Sequence, residues 1–155
     1  MYRTGFGDCF LLTLQSGRRQ FNALIDFGVH TGGNIDTLGK IMEDIEVETS
    51  HRLDLIIASH AHQDHISGFG RFQSRFANFR IDEVWLPWTE DPRNRRANLL
   101  RQKQAILFEK LHSEIQFMLR RRGARPELRT ALNVLLNLRG NEKALRALAT
   151  AFGTN

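Results

Sequence analysis

Six consecutive residues, His60 to His65 in "SHAHQDH", hold three of the chain's six histidines together with one aspartate. Packing gives no reason for such a cluster, because buried polar groups without partners cost several kcal/mol. His60, His62 and Asp64 alternate along the chain, so on an extended segment their side chains share one side. His65 joins them if the backbone bends into a helix, and Ser67-Gly68 is the expected place for that bend. Imidazole and carboxylate suit zinc, with manganese or iron as alternatives, at about 2.0–2.2 Å. Four ligands this close together fit two divalent ions, His60 and His62 on one, Asp64 and His65 on the other. Ions roughly 3.5–4 Å apart would share a hydroxide near neutral pH, a nucleophile for hydrolysis. Asp64, beside that hydroxide, is the expected catalytic residue.

The elements that must position these groups can be read from patterning. "CFLLTL" and "FNALIDFG" flank the turn-like "QSGRRQ" and predict a hairpin. After the glycine-rich "GVHTGGN", Ile35, Leu38, Ile41, Met42 and Ile45 recur at helical spacing, with Asn34 available as the cap. "LDLIIAS" reads as a strand buried on both faces, leading straight into the histidine cluster. "ISGFGRFQSRFANF" leans helical and "IDEVWLP" is a further short strand. Strands alternating with helices indicate an α/β core over residues 1–88.

Residues 89–155 read differently, as a helical segment. Asp91-Pro92 predicts an N-cap and first-turn proline ahead of a long helix. Leu100, Leu107, Leu111, Ile115 and Met118 form its apolar stripe, and Gly123 ends it. Pro126 opens a second helix, with Leu128, Leu132 and Leu135 on one face, stopped by Gly140. Asn141 caps a third over "EKALRALATAFG".

At 155 residues the chain suits one domain or a piece of one, and a composition 41% apolar and 25% charged is that of a globular protein. A single cysteine, Cys9, excludes an internal disulfide and fits a reducing compartment, so the cytoplasm is expected. Cys9 itself reads as inert packing. No stretch approaches the roughly 20 apolar residues of a membrane span. The net charge of +5 favours encounters with polyanions. The arginines of "RRRGARPELR", with Arg93, Arg95, Arg96 and Arg101, invite phosphate contacts, yet a solvated helix end accounts for them better. His30 and His51 read as solvent-facing, His112 as a flank residue on the long helix, and Asp8 in "GFGD" as a turn residue.

"SHAHQDH" resembles the His-x-His-x-Asp-His signature of the metallo-β-lactamase fold superfamily. The upstream strand ending "LIDFG" resembles that family's aspartate-bearing strand, and "GFGDCFLL" the Gly-Asp turn of the ComEC-like branch, rich in phosphodiesterases and nucleases. The resemblance covers roughly residues 4 to 88. It implies two divalent metal ions, His60 and His62 as ligands of the first, Asp64 and His65 of the second, with Asp26 a supporting carboxylate. It implies a hydrolase whose expected substrate is a phosphodiester, nucleic acid included. The alternatives are a lactam, thioester or lactone hydrolase, or a catalytically incomplete module serving assembly. Family members add further ligands, a histidine, a bridging aspartate and a last histidine, from their second half, and this chain shows none of them. The expectation is therefore the N-terminal half of an αββα sandwich followed by a helical insertion or appendage, completed by a missing half or a partner chain.

Overall fold

The computed structural model of the protein describes residues 1–30, 35–122 and 125–151. The chain divides into two compact units, Met1–Pro87 with Asn141–Asn155, and Trp88–Gly140.

The first unit opens with the expected hairpin, β1 (Cys9–Ser16) antiparallel to β2 (Arg19–Phe27). Helix α1 (Ile35–Thr49) returns the chain to β3 (Arg52–Ile57), which lies parallel to β2. The short helices α2 (Gln63–Arg71) and α3 (Gln73–Phe76) lead to β4 (Arg80–Trp85), parallel to β3. The sheet order is therefore β1-β2-β3-β4, with β1 and β4 at its edges. Asn34, expected to cap α1, lies outside the described residues.

One face of this sheet is covered by its crossover helices. Leu24 and Phe27 of β2, Ile56 of β3, Leu38, Met42 and Ile45 of α1, and Ile66 and Phe69 of α2 share one buried core. Phe27 is its hub, with its ring 5.7–5.8 Å from those of Phe69, Phe72 and Phe76, close enough for edge-to-face attraction. A fork from the Arg75 guanidinium to the Glu46 carboxylate ties α3 to α1 (Nε–Oε1 2.8 Å). Pleat alternation sends Leu12, Leu14, Phe21 and Trp85 to the opposite face, where they remain 45, 53, 41 and 53% exposed. The described strands form this single sheet; the layered core is α/β as expected, and a sandwich partner sheet is not among the described elements.

The second unit begins with a 3-10 turn (Trp88–Glu90) and contains α4 (Arg95–Arg122). The expected Asp91-Pro92 cap is displaced by one turn. The carboxylate of Asp91 accepts from Arg93 N within its own Asx turn, while the side chain of Asn94 accepts from Arg96 N and Ala97 N and caps α4. Ile115 is buried on the anticipated stripe, whereas Leu107 and Leu111 are exposed. His112 stacks on Phe108 at 5.9 Å. Gly123, expected to end α4, lies outside the described residues.

Among the described residues, two helices rather than three occupy this part of the chain. α5 runs unbroken from Pro126 to Ala151, through Gly140. One helical glycine costs only about 1 kcal/mol, which burial of Ala144, Leu145 and Leu148 in the first unit's core outweighs.

Candidate metal centre

Parallel strands bring their carboxyl ends to one edge of a sheet, the edge where open α/β folds place their sites. Asp26 stands at the end of β2, and Ser59 and His60 follow β3. Asp26 breaks the strand's alternation. Its backbone is left-handed, with φ 55°, a conformation aspartate tolerates better than most residues. Buried almost completely, its carboxylate accepts from Ser59 N through Oδ1 (2.8 Å) and from Ser59 Oγ through Oδ2 (2.6 Å). The Nδ1 of His65 lies 2.8 Å from the same Oδ2.

The histidine turn differs from its expected geometry in one respect. The bend comes before Ser67-Gly68, because α2 already begins at Gln63, with His62 extended at its cap position. Asp64 and His65 therefore sit in the first helical turn, where a carboxylate is favoured by the helix dipole. Ser67 instead fastens α2 to the segment after β2, its hydroxyl donating to Val29 O and accepting from Val29 N, both at 3.0 Å.

A junction of three backbones holds the turn in place. Asp8 N donates to Asp64 O (3.0 Å) and Gly28 N to Asp8 O (3.1 Å). Glycine is required where these segments touch. A Cβ on Gly7 would lie 2.3 Å from Gly28 O, and one on Gly28 would lie 2.5 Å from the carbonyl carbon of Asp64.

His60, His62, Asp64 and His65 lie next to one another around this turn. The His60 ring lies 4.6 Å from that of His62 and 3.8 Å from that of His65, centroid to centroid. His65 turns Nε2 toward Asp64, whose Oδ2 is 3.6 Å away. Burial, followed by the neighbouring His65 and His62 rings, holds His60 below the ordinary histidine range, favouring the neutral imidazole that a cation needs. Asp26 is not at the surface of this group but behind it, on the far nitrogen of His65. His30 and His51 are exposed, as expected, in edge or tilted contact with Phe6 and Phe79. Cys9 is buried, which pushes its thiol up to about 12 and leaves it protonated.

Asp8 does more than make a turn. Its Oδ2 is 3.5 Å from His65 Nδ1, and ligand atoms of Asp8, Asp26 and His65 all lie within 4.8 Å of one another. A cation on that side would have to displace the proton between His65 Nδ1 and Asp26, whereas one on the Nε2 side leaves that hydrogen bond intact. Arrangements in which a carboxylate backs a histidine fix the ring and raise its basicity toward a metal. The donor set, imidazoles and carboxylates without thiolate, fits zinc, manganese or iron.

The sequence profile of the metallo-beta-lactamase superfamily matches residues 2–131, from the segment before β1 through α4 into α5. The chain belongs to that superfamily. No curated protein and no solved structure was found to match it. Membership carries the general expectation of metal-dependent hydrolysis, and the grouping of imidazoles and carboxylates at the sheet edge is chemically suited to it. Among the described residues, no helix of this superfamily member is long and apolar enough to cross a membrane.

Proposed function

We propose that this superfamily member is a metal-dependent hydrolase domain acting on phosphodiesters, with His60, His62, Asp64 and His65 as ligands and Asp26 as support. The observation that carries the reading is the posture of His65, which rests Nδ1 on Asp26 and turns Nε2 toward Asp64. Divalent cations, when bound, would supply Lewis-acid polarisation and lower the pKa of a coordinated water. The chain's own residues set the stage. His60 and His62 would serve one ion, Asp64 and His65 a second, while the partly exposed Asp64 carboxylate is placed to hold a water or take its proton. Asp26, tied to Ser59 and His65, keeps the turn from relaxing when the ligands are charged. A phosphodiester is favoured by the net charge of +5 and by the Gly-Asp turn of residues 5–8.

Four side chains are fewer than two ion sites need, since a catalytic site takes about three protein ligands. A partner chain or further polypeptide would complete them. Elemental analysis after dialysis should therefore find less than two equivalents of zinc, manganese or iron per chain. Once its ion sites are so completed, metal-loaded protein should cleave DNA, RNA or bis(p-nitrophenyl) phosphate in preference to a lactam, thioester or lactone, and Asp64→Ala should reduce this to background. Undiminished cleavage by Asp64→Ala would refute the assignment. The exposed apolar sheet face of Leu12, Leu14, Phe21 and Trp85 favours a second reading, a binding module used in assembly. A metal-loaded protein with its ion sites so completed that cleaves none of these substrates would favour it.

A further inference from the structure

Ser59 lies between two groups of the proposed centre. Its Oγ is 2.6 Å from Asp26 Oδ2 and 2.9 Å from His60 Nδ1. A hydroxyl has one proton to give, and the carboxylate can only accept. The 2.6 Å separation is that of an O–H···O⁻ bond, so the proton of Ser59 points to Asp26. Toward His60 the hydroxyl can then only accept, which requires the proton of His60 to be on Nδ1. His65 Nδ1, facing the same Oδ2 at 2.8 Å, must likewise be the donor.

We infer that Ser59 is a positioning residue that passes the charge of Asp26 on to His60, so that one buried carboxylate fixes both His60 and His65 as Nδ1–H tautomers. Both rings then present an Nε2 lone pair, His65 by direct contact and His60 through the serine. The consequence for cation affinity rests on the proposed metal centre; the tautomer consequence does not.

Ser59 is an exposed residue, so Ser59→Ala and Ser59→Thr should both fold, as circular dichroism would verify. The ring protons are read by long-range ¹H–¹⁵N correlation of the histidine side chains in metal-free protein, and affinity by zinc competition against a chromophoric chelator. In the wild type, His60 and His65 should both carry Nδ1–H. Ser59→Ala should transfer part of the His60 population to Nε2–H, leave His65 unchanged, and weaken zinc by about 10-fold, the lower end for loss of a group supporting a ligand. Ser59→Thr, retaining the hydroxyl, should restore both readings. Asp26→Asn should release His65 as well as His60. Nε2–H on His60 in the wild type, or an unchanged His60 tautomer in Ser59→Ala, would overturn the inference. Wild-type protein that shows both Nδ1–H rings but takes up no zinc would overturn the metal centre while sustaining the relay.

Discussion

Replacing Gly28 by alanine adds one methyl group at the crossing of two backbones. That methyl would lie 2.5 Å from the carbonyl carbon of Asp64, 2.6 Å from its oxygen and 2.6 Å from the carbonyl carbon of His65. No side chain can swing aside, because every one of these atoms is main chain. Relief to an ordinary carbon contact of about 3.5–4.0 Å moves the Asp64–His65 peptide by roughly 1 Å. His65 Nδ1, now 2.8 Å from Asp26, would leave hydrogen-bonding range. Overpacking costs about 1–3 kcal/mol, and a hydrogen bond to a charged group about 1.5–3 kcal/mol. Since the shift partly relieves the first by sacrificing the second, Gly28→Ala should lose about 3–5 kcal/mol in urea unfolding. Gly39→Ala is the control: it lies inside α1, has nothing within 4 Å of a new Cβ, and should stabilise by up to about 1 kcal/mol. A Gly28→Ala protein within about 0.5 kcal/mol of wild type, the range of an inconsequential surface change, would refute the claim that close backbone approach fixes the histidine turn.

Two further outcomes follow from the core and from its charges. Phe27→Ala empties the hub between Phe69, Phe72 and Phe76 and should cost about 3–5 kcal/mol; a loss below about 1 kcal/mol in the urea midpoint analysis would show that the aromatic cluster collapses to fill the space. Glu46 is held below the usual carboxylate range by its hydrogen bonds to Arg75. Its contribution is therefore present above about pH 4.3, the unfolded value, and lost as pH falls through the lower folded value. The stability gap between wild type and Glu46→Gln, about 1 kcal/mol at pH 7, should shrink in acid, and a gap that stays constant down to about pH 2, below the ordinary carboxylate range, would disprove the pairing.

Much of this architecture is legible in the sequence because local pattern and tertiary role agree. The spacing of Leu38, Ile41, Met42 and Ile45 marks α1, and the same residues are its buried side. The histidine cluster follows an apolar run in the sequence and lies at the end of the strand that run forms. The failures come where local rules compete. Gly140 signals a stop, but buried residues beyond it carry α5 onward. Asp91 and Asn94 can both cap, and the choice between them depends on where α4 begins. Asp8 can be found from the hairpin alone. A two-residue turn at Gly17-Arg18 pairs Ser16 with Arg19, and counting back places Cys9 near Asp26; a bulge after Cys9 shifts its partner to Phe27. Ser59 leaves no signal, because its role depends on the left-handed backbone at Asp26, which no pattern of residue types announces.

The hairpin leaves one edge with a liability. β1 has β2 on one side and, among the described residues, no strand on the other, so beyond Cys9, whose carbonyl accepts from Tyr2 N (2.9 Å), alternate backbone amides and carbonyls face outward along "CFLLTLQS". That run contains no charge, no proline and no glycine, the composition of a segment prone to pair with its own kind in other molecules. The arginines that would repel such stacking, Arg18 and Arg19, stand only at its far end. Pairing of this kind between molecules grows with protein concentration. A lysine at Thr13, an exposed position in the middle of that strand, would act as a gatekeeper against growth of the sheet from molecule to molecule.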